Sequence, residues 1–229
     1  MSSDAAFQRA YSAEAKAQRA NDLAEAARAL AARDGVRAVT LTSIAQHAGV
    51  HVSAVRRYYA SREEILLLLA QGGYEDWSET AVARLAPYER LSSADIARTL
   101  VKTLGERPLF CDLLTHVTLS LEHHSGYESV RAFKAAASRA VNIVSDTLTA
   151  RMALDRTTAE ELVIAALALA APLWQAGHPA DNVQRLYREE PELAHVAIDF
   201  EHTLTRWVTA LADGLIGDQR ARDGAEQQA

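Results

Sequence analysis

Two adjacent arginines, Arg56 and Arg57, stand in a stretch that can meet a polyanion. From Gly35 to Arg62 the chain carries four arginines (Arg37, Arg56, Arg57, Arg62) and no acid. A guanidinium can bond guanine O6 and N7 together, worth about 1–3 kcal/mol of discrimination, or it can pair with a phosphate. Adjacent helix positions diverge by about 100°, so one arginine is expected on a base edge and the other on a phosphate. Val52 and Ser53, earlier in the same segment, would face the same groove. Valine can touch a thymine methyl, and serine can donate or accept with little discrimination. His51 opens the segment, either as a turn residue or as a further DNA contact.

Other chemistry was weighed against this. His116, Glu122, His123 and His124 raise a metal or enzyme reading. Adjacent His123 and His124 point to different helix faces, and the cluster lacks the spacing that sets two histidines one turn apart beside a glutamate. The sequence has no Gly-rich phosphate loop, nucleophile elbow or CxxC pair, so no metal and no cofactor is expected. Cys111, the single cysteine, rules out an intrachain disulfide and suits a reducing cytoplasm. Nothing basic adjoins it, so it reads as a packed apolar residue.

The arginines need a rigid mount, and Thr40–Tyr59 (TLTSIAQHAGVHVSAVRRYY) supplies one. Ala45 lies four residues before Gly49, letting two helices approach closely while the glycine takes a positive φ in the turn. Ile44, Ala48, Val50, Val55 and Tyr58 fall at buried positions on two crossing helices. This is a helix-turn-helix pattern, whose second helix enters the major groove of DNA. An Ala-rich helix from Glu14 to about Arg33 precedes it, with Leu23, Ala26, Ala27 and Leu30 on one face. Gly35 is the expected residue just past that helix. Thr40 is a plausible N-cap, or a DNA ligand, or both. Tyr59 reads chiefly as core; Tyr58 can serve either side.

Charge agrees in its distribution rather than its total. The 229 residues carry a net −6, yet residues 1–70 hold nine Lys/Arg and seven Asp/Glu, and the remainder 15 and 23. A mildly basic N-terminal module on an acidic body suits a DNA reader with a second task.

The fold class is all-α, with few prolines and glycines and long Ala/Leu/Glu/Arg stretches. Residues 1–13 have no sustained pattern and read as a flexible arm, 14–61 as the helix-turn-helix domain, 62–86 as a connecting helix, 87–216 as a helical body and 217–229 as a disordered tail. Ser61-Arg62-Glu63-Glu64 reads as a capping box opening the connecting helix. Ser92 or Ser93 caps the next helix, Pro108 to about His123 is an apolar segment with an internal bend, and Ser125-Gly126-Tyr127-Glu128 reads as a second capping box. Thr157 or Thr158 is expected to cap a helix through Trp174. A short helix falls near 182–189, and a last one covers about 192–216. The most apolar run, Leu162–Trp174, is about 13 residues, short of the roughly 17–25 needed to span a bilayer. It reads as a buried helix, and no membrane partner is expected.

Leu23–Leu69 resembles the N-terminal module of TetR-type (tetracycline-repressor-like) bacterial transcriptional regulators. The residues carrying the resemblance are Gly35, Thr40, Ile44-Ala45, Ala48-Gly49-Val50, Tyr58-Tyr59, Ser61-Arg62-Glu63 and Ile65-Leu66. More weakly, RPLFCDLL and LWQAG look like one branch of the family's ligand domains. The chain departs from the pattern at His51 (usually serine), Ser53-Ala54 (Gly-Thr), Arg56 (tyrosine) and Tyr59 (phenylalanine). Those losses remove two common phosphate hydrogen bonds, one of which Arg56 can replace electrostatically.

The resemblance implies a cytoplasmic homodimer on a near-palindromic double-stranded DNA operator, most simply a repressor released by a small-molecule effector. It also implies base contact at Thr42 and phosphate contacts at Thr40, Tyr58 and Arg62. One helix-turn-helix covers only a half-site, which gives dimerisation a physical basis. Ala165–Ala171, rich in small side chains, can pair with the final helix across a two-fold axis or pack internally. Candidate effector residues are the aromatic and polar side chains in apolar runs: Trp77, Phe110, Thr115, His116, Thr118, Glu122, Tyr127 and Trp174. Apolar walls with few polar groups suit a largely hydrophobic or aromatic molecule. The competing readings are a helical small-molecule or metal-binding enzyme built on the body, and an activator of the same fold.

Overall fold

In the computed structural model the chain is described over residues 2–152, 154–196 and 198–226, with side chains over 14–225 apart from 153 and 195–197. Helix α1 (Ser2–Asp34) leads through a 3₁₀ turn at Val36–Ala38 into α2 (Leu41–His47) and α3 (Val52–Val55). The long α4 (Arg62–Leu85) follows, then α5 (Ser93–Gly105), α6 (Pro108–His116) and a π-helical turn at Val117–Leu121. The remaining helices are α7 (Tyr127–Met152), α8 (Arg156–Gly177), α9 (Asp181–Glu189) and α10 (Phe200–Glu226), with a 3₁₀ turn at Pro191–Val196. No strand occurs among the described residues.

Local chemistry sets most of the boundaries. Gly35 ends α1 at φ 83°, with its amide on Ala31 O at 2.9 Å. The α2–α3 turn closes through Val50 N–Ala45 O (2.9 Å) and Gly49 N–Gln46 O (3.2 Å). That pair is a Schellman closure, and it requires the left-handed φ of 66° at Gly49. Thr40 and Ser43 form a reciprocal capping box on α2, and Ser92 with Asp95 forms another on α5.

Two hydrophobic clusters fill the interior. One joins α4 from Trp77 onward to α5, α8 and α10. The other joins α1, α2 and α3 to Ile65–Ala70 of α4, and also takes Leu113, Val117, Leu121 and Phe133 from the body. Helix α4 runs through both and packs most extensively on α7. The module expected at 14–61 therefore shares its core with α6 and α7. Where α4 crosses α6, Gly73 is required: a Cβ there would lie 2.3 Å from the Phe110 ring.

Several sequence expectations change. Residues 2–13, expected as an arm, continue α1; alanines at 5, 6, 10 and 13 favour helix without any long-range pattern. The tail expected from 217 is helical to Glu226, while 227–229 lie outside the described residues. Its anchors are Gln219 Oε1, which accepts from the Asp155 amide at 3.0 Å, and Arg222, 3.2 Å from Thr158 Oγ1. The last helix begins at Phe200 rather than near 192, the intervening Pro191–Val196 being 3₁₀. Asp155, not Thr157 or Thr158, caps α8, accepting from Thr158 N. At the second expected capping box the Ser125 hydroxyl is buried without a partner, and Val130 N bonds Gly126 O instead. The box at Ser61 is half as expected: Ser61 Oγ accepts from Glu64 N at 3.2 Å. Glu64, however, reaches back to Ala60 N at 2.7 Å and takes the Ser129 hydroxyl with its other oxygen. The internal bend expected past Pro108 is the π-helical turn.

Candidate nucleic-acid interface

The recognition segment is short because its support is external. Val55 is fully buried against α1, α2 and α4. Tyr59 is buried as expected and donates its hydroxyl to Ala20 O at 3.0 Å; burial raises its pKa above that of a free phenol. The opposite face carries Ser53, Arg56 and Arg57, all exposed. Among the described residues neither guanidinium of the pair is hydrogen-bonded or ion-paired. Two unpartnered cations on one exposed face can approach phosphate or a base edge without first breaking an internal contact.

His51 replaces the family's serine as the N-cap of α3. Its Nδ1 lies 3.3 Å from Ser53 N and 3.0 Å from Ser53 Oγ. The imidazole thus does the serine's structural work and stays exposed. Val52 is half-buried against the module core. Thr40 is exposed at the α2 N-cap, and Thr42 is exposed in the first turn of α2. Tyr58 is half-buried beside a cleft of about 200 Å³ shared with Arg57, Ala54 and Arg19 of α1. Sequence reasoning missed Arg19, which lies 38 positions before Arg57 and comes near it only through the packing of α1.

Arg62 is more committed than its sequence position suggests. Its Nη1 donates to Val39 O (2.8 Å) and Arg37 O (3.3 Å), and its Nε pairs with Glu63 at 2.7 Å. It holds the turn that feeds α2, which leaves only Nη2 for a phosphate.

The eight candidate effector residues do not form one site. Trp77 is fully buried, its indole N–H on Thr103 Oγ1 at 3.1 Å. Phe110 packs 6.5 Å from it, centroid to centroid, and borders a cleft of about 260 Å³ with Gly72, Gly73, Asp76 and Arg107. Thr115 donates to Ala171 O of α8 at 3.1 Å. Trp174, also on α8, stacks on His178 at 3.7 Å. Glu122 pairs with Lys134 at 2.7 Å, and Thr118 and Tyr127 are exposed. Cys111 is buried, and burial pushes its thiol up to about 12. Among the described residues no three His, Cys, Asp or Glu side chains are grouped to hold a metal.

A half-buried polar node at the α6–α8 junction also escaped the sequence reading. Asp112 Oδ2 accepts from Val36 N at 2.9 Å, and its Oδ1 accepts from Gln175 Nε2 at 2.8 Å. His116 Nε2 lies 3.6 Å from the same Oδ1 and is buried with no hydrogen bond of its own. Burial works against the Asp112 charge, yet His116, the Val36 amide and Gln175 together hold the carboxyl below its ordinary value. The only sequence signal was an acid inside an otherwise apolar run.

The description "Bacterial regulatory proteins, tetR family" matches residues 23–69, and "Tetracyclin repressor-like, C-terminal domain" matches residues 71–219. The chain belongs to the TetR family. It is a DNA-binding regulator with a helix-turn-helix domain and a C-terminal helical domain. Members of the TetR family are regulators rather than enzymes. No curated protein matches the sequence.

Solved structures share the TetR fold at low identity. A Mesorhizobium loti protein assigned to the family is 12% identical, covers 88% of this chain and 96% of its own, and superposes with a TM-score of 0.58. The fatty acid degradation regulator FadR from Bacillus halodurans is 15% identical over 86% of this chain and 94% of its own, with a TM-score of 0.53. Thermus thermophilus FadR, a TetR-family transcriptional repressor in complex with lauroyl-CoA, is 18% identical over 79% and 95%, with a TM-score of 0.50.

Proposed function

We propose that the protein is a homodimeric, cytoplasmic repressor whose α3 enters the major groove of a near-palindromic operator and which a small apolar effector releases. The observation that carries this reading is the exposed pair Arg56 and Arg57, unpartnered among the described residues at the C-terminal end of the buried-backed α3, within an acid-free stretch. One of the two reads a base edge and the other a phosphate. Thr40, Thr42, His51, Val52, Ser53, Tyr58 and Nη2 of Arg62 complete the contact set. The test is selection of bound fragments from random DNA, followed by affinity measurements on Arg56→Ala and Arg57→Ala. Sequence-specific binding left unchanged by both substitutions would sink the assignment.

Pairing through α8 and α10 is supported by the apolar surface they leave uncovered. Ile164 is 53% exposed, Trp207 39% and Leu211 38%. The small-residue run divides its work: Ala166, Leu167 and Ala170 are buried in the chain's own core, while Ala168 is exposed. Sedimentation in solution tests the pairing, and a monomer on operator DNA would refute it.

The effector is proposed to be a long-chain acyl or aromatic molecule that opens the body between α4, α6 and α8. Support comes from the aromatic packing of Trp77, Phe110 and Trp174 there and from the acyl-CoA held by the Thermus relative. Its insertion shifts α4 and changes the spacing of the two recognition helices. A series of acyl-CoA thioesters, titrated into the operator complex, tests the class. Failure of every chain length to release DNA would exclude it.

A further inference from the structure

Helix α4 is not the only route between the body and the recognition helices. The turn that leads into α2 is also held from the side by Asp112, a residue of α6 lying 76 positions away from Val36. Gly35, at φ 83°, sets the turn that points the Val36 amide at Asp112. The second oxygen of the same carboxylate is held by Gln175, near the C-terminal end of α8. One half-buried side chain on α6 therefore touches both the DNA-binding module and α8. Helix α8 also carries Ile164 and Ala168, the surface proposed for the second protomer.

We propose that Asp112 is a positioning latch that fixes the Gly35–Val36 turn, and with it α2 and α3, relative to α6 and α8. This rests on the DNA-binding repressor reading and adds to it how the body holds the module in its binding geometry. The carboxylate bears two donors from two different elements, so displacing α8 removes the Gln175 donor and frees the side chain to rotate off Val36 N. His116, one helical turn further along α6, supplies a substitute. Its Nε2 is 3.6 Å from Oδ1 with no other partner, so a small ring movement lets it hold the carboxylate once that group has turned off Val36 N. Two arrangements of one network, each with its acceptor satisfied, are what a two-state element requires. No base or phosphate contact is involved.

The experiment uses the full chain and DNA fragments that the wild type itself selects from a random library. Gln175→Ala removes no atom that touches the module. It is expected to speed amide exchange at Val36 and to weaken operator binding about tenfold, within the usual range of coupling between sites. The ranking of bound sequences and the salt dependence should stay unchanged. Asp112→Ala should do the same more strongly. Asp112→Asn should retain most of the affinity, because its amide oxygen still accepts from Val36 N while its NH₂ donates to a flipped Gln175. Wild-type exchange at Val36 together with wild-type affinity in Gln175→Ala would overturn the latch, even if Asp112→Ala proves too unstable to assay. If the wild type selects no sequence, the repressor reading fails instead, and Val36 exchange in Gln175→Ala still decides whether the latch exists.

Discussion

The DNA-binding module and the helical body place their working residues oppositely. In the module they lie on the surface: Ser53, Arg56 and Arg57 are exposed, and the caps holding their helices are made within three residues by Thr40 with Ser43 and His51 with Ser53. In the body several residues with chemistry lie inside or half-inside and already have partners. Trp77 bonds Thr103, Thr115 bonds Ala171, and Asp112 bonds Val36 and Gln175. A surface that waits for a rigid polyanion can be finished in advance. A body that must admit a ligand between its helices has to trade internal contacts for new ones, so its site stays hidden until that exchange occurs.

The difference predicts that damage in the body costs stability, and damage on the module costs binding. Trp77→Ala empties the space of a fully buried indole and removes one donor from the Thr103 hydroxyl, which keeps its own bonds to Thr99 O and Leu100 O. It should lose about 3–5 kcal/mol, read from denaturant unfolding. Because Leu113, Val117, Leu121 and Phe133 join the module's core, that unfolding should remain one transition seen equally by probes in both regions. A separate, unshifted transition of the module would break the comparison. Gly73→Ala forces a methyl into the Phe110 ring and should cost about 1–3 kcal/mol by overpacking, measured as a lowered melting temperature.

On the module side, Arg56→Ala and Arg57→Ala should leave stability within about 0.5 kcal/mol. The base-reading member should lose about 1–3 kcal/mol of sequence discrimination. The other should reduce the slope of log affinity against log salt by about 0.9. Thr40→Ala touches both categories, since it removes a cap worth about 1 kcal/mol as well as an exposed hydroxyl. The smallest expected effect belongs to Cys111. With its thiol pushed up to about 12 by burial, little reactive thiolate forms at pH 8, and alkylation should proceed no faster than unfolding. Rapid labelling in the native state would show that the body opens more readily than the module, and would sharpen the contrast.

Legibility followed the range of the interactions. Gly35, Thr40, Gly49 and Ser61 were readable because turn and cap chemistry is decided within about five residues of chain. Tyr59 was readable as core because it lies one turn past the buried Val55, whose carbonyl its amide still bonds at 3.1 Å. Arg62 was harder: its position suggested a phosphate, but its partners at Val39, Arg37 and Glu63 use two of its three nitrogens. Ser125 and Thr158 carried cap-like signatures that lost to competing geometry, Gly126 taking the first end and Asp155 the second. Asp112 and Gln175 could not be paired from sequence, since 63 positions separate them and neither sits in a motif.

The sequence alone determined the helical class, the helix-turn-helix and the chemistry of its exposed face, because those follow from local periodicity, caps and side-chain type. Tertiary structure decided three further things. It buried Trp77, Phe110 and Trp174 in core packing, extended both terminal helices past their patterned regions, and drew Asp112 of α6 against the backbone of Val36. Those outcomes depend on which helix faces meet across dozens of residues. A periodicity shows that a face is apolar, but the partner that covers it, and the polar atom caught beneath, are settled only when the helices pack.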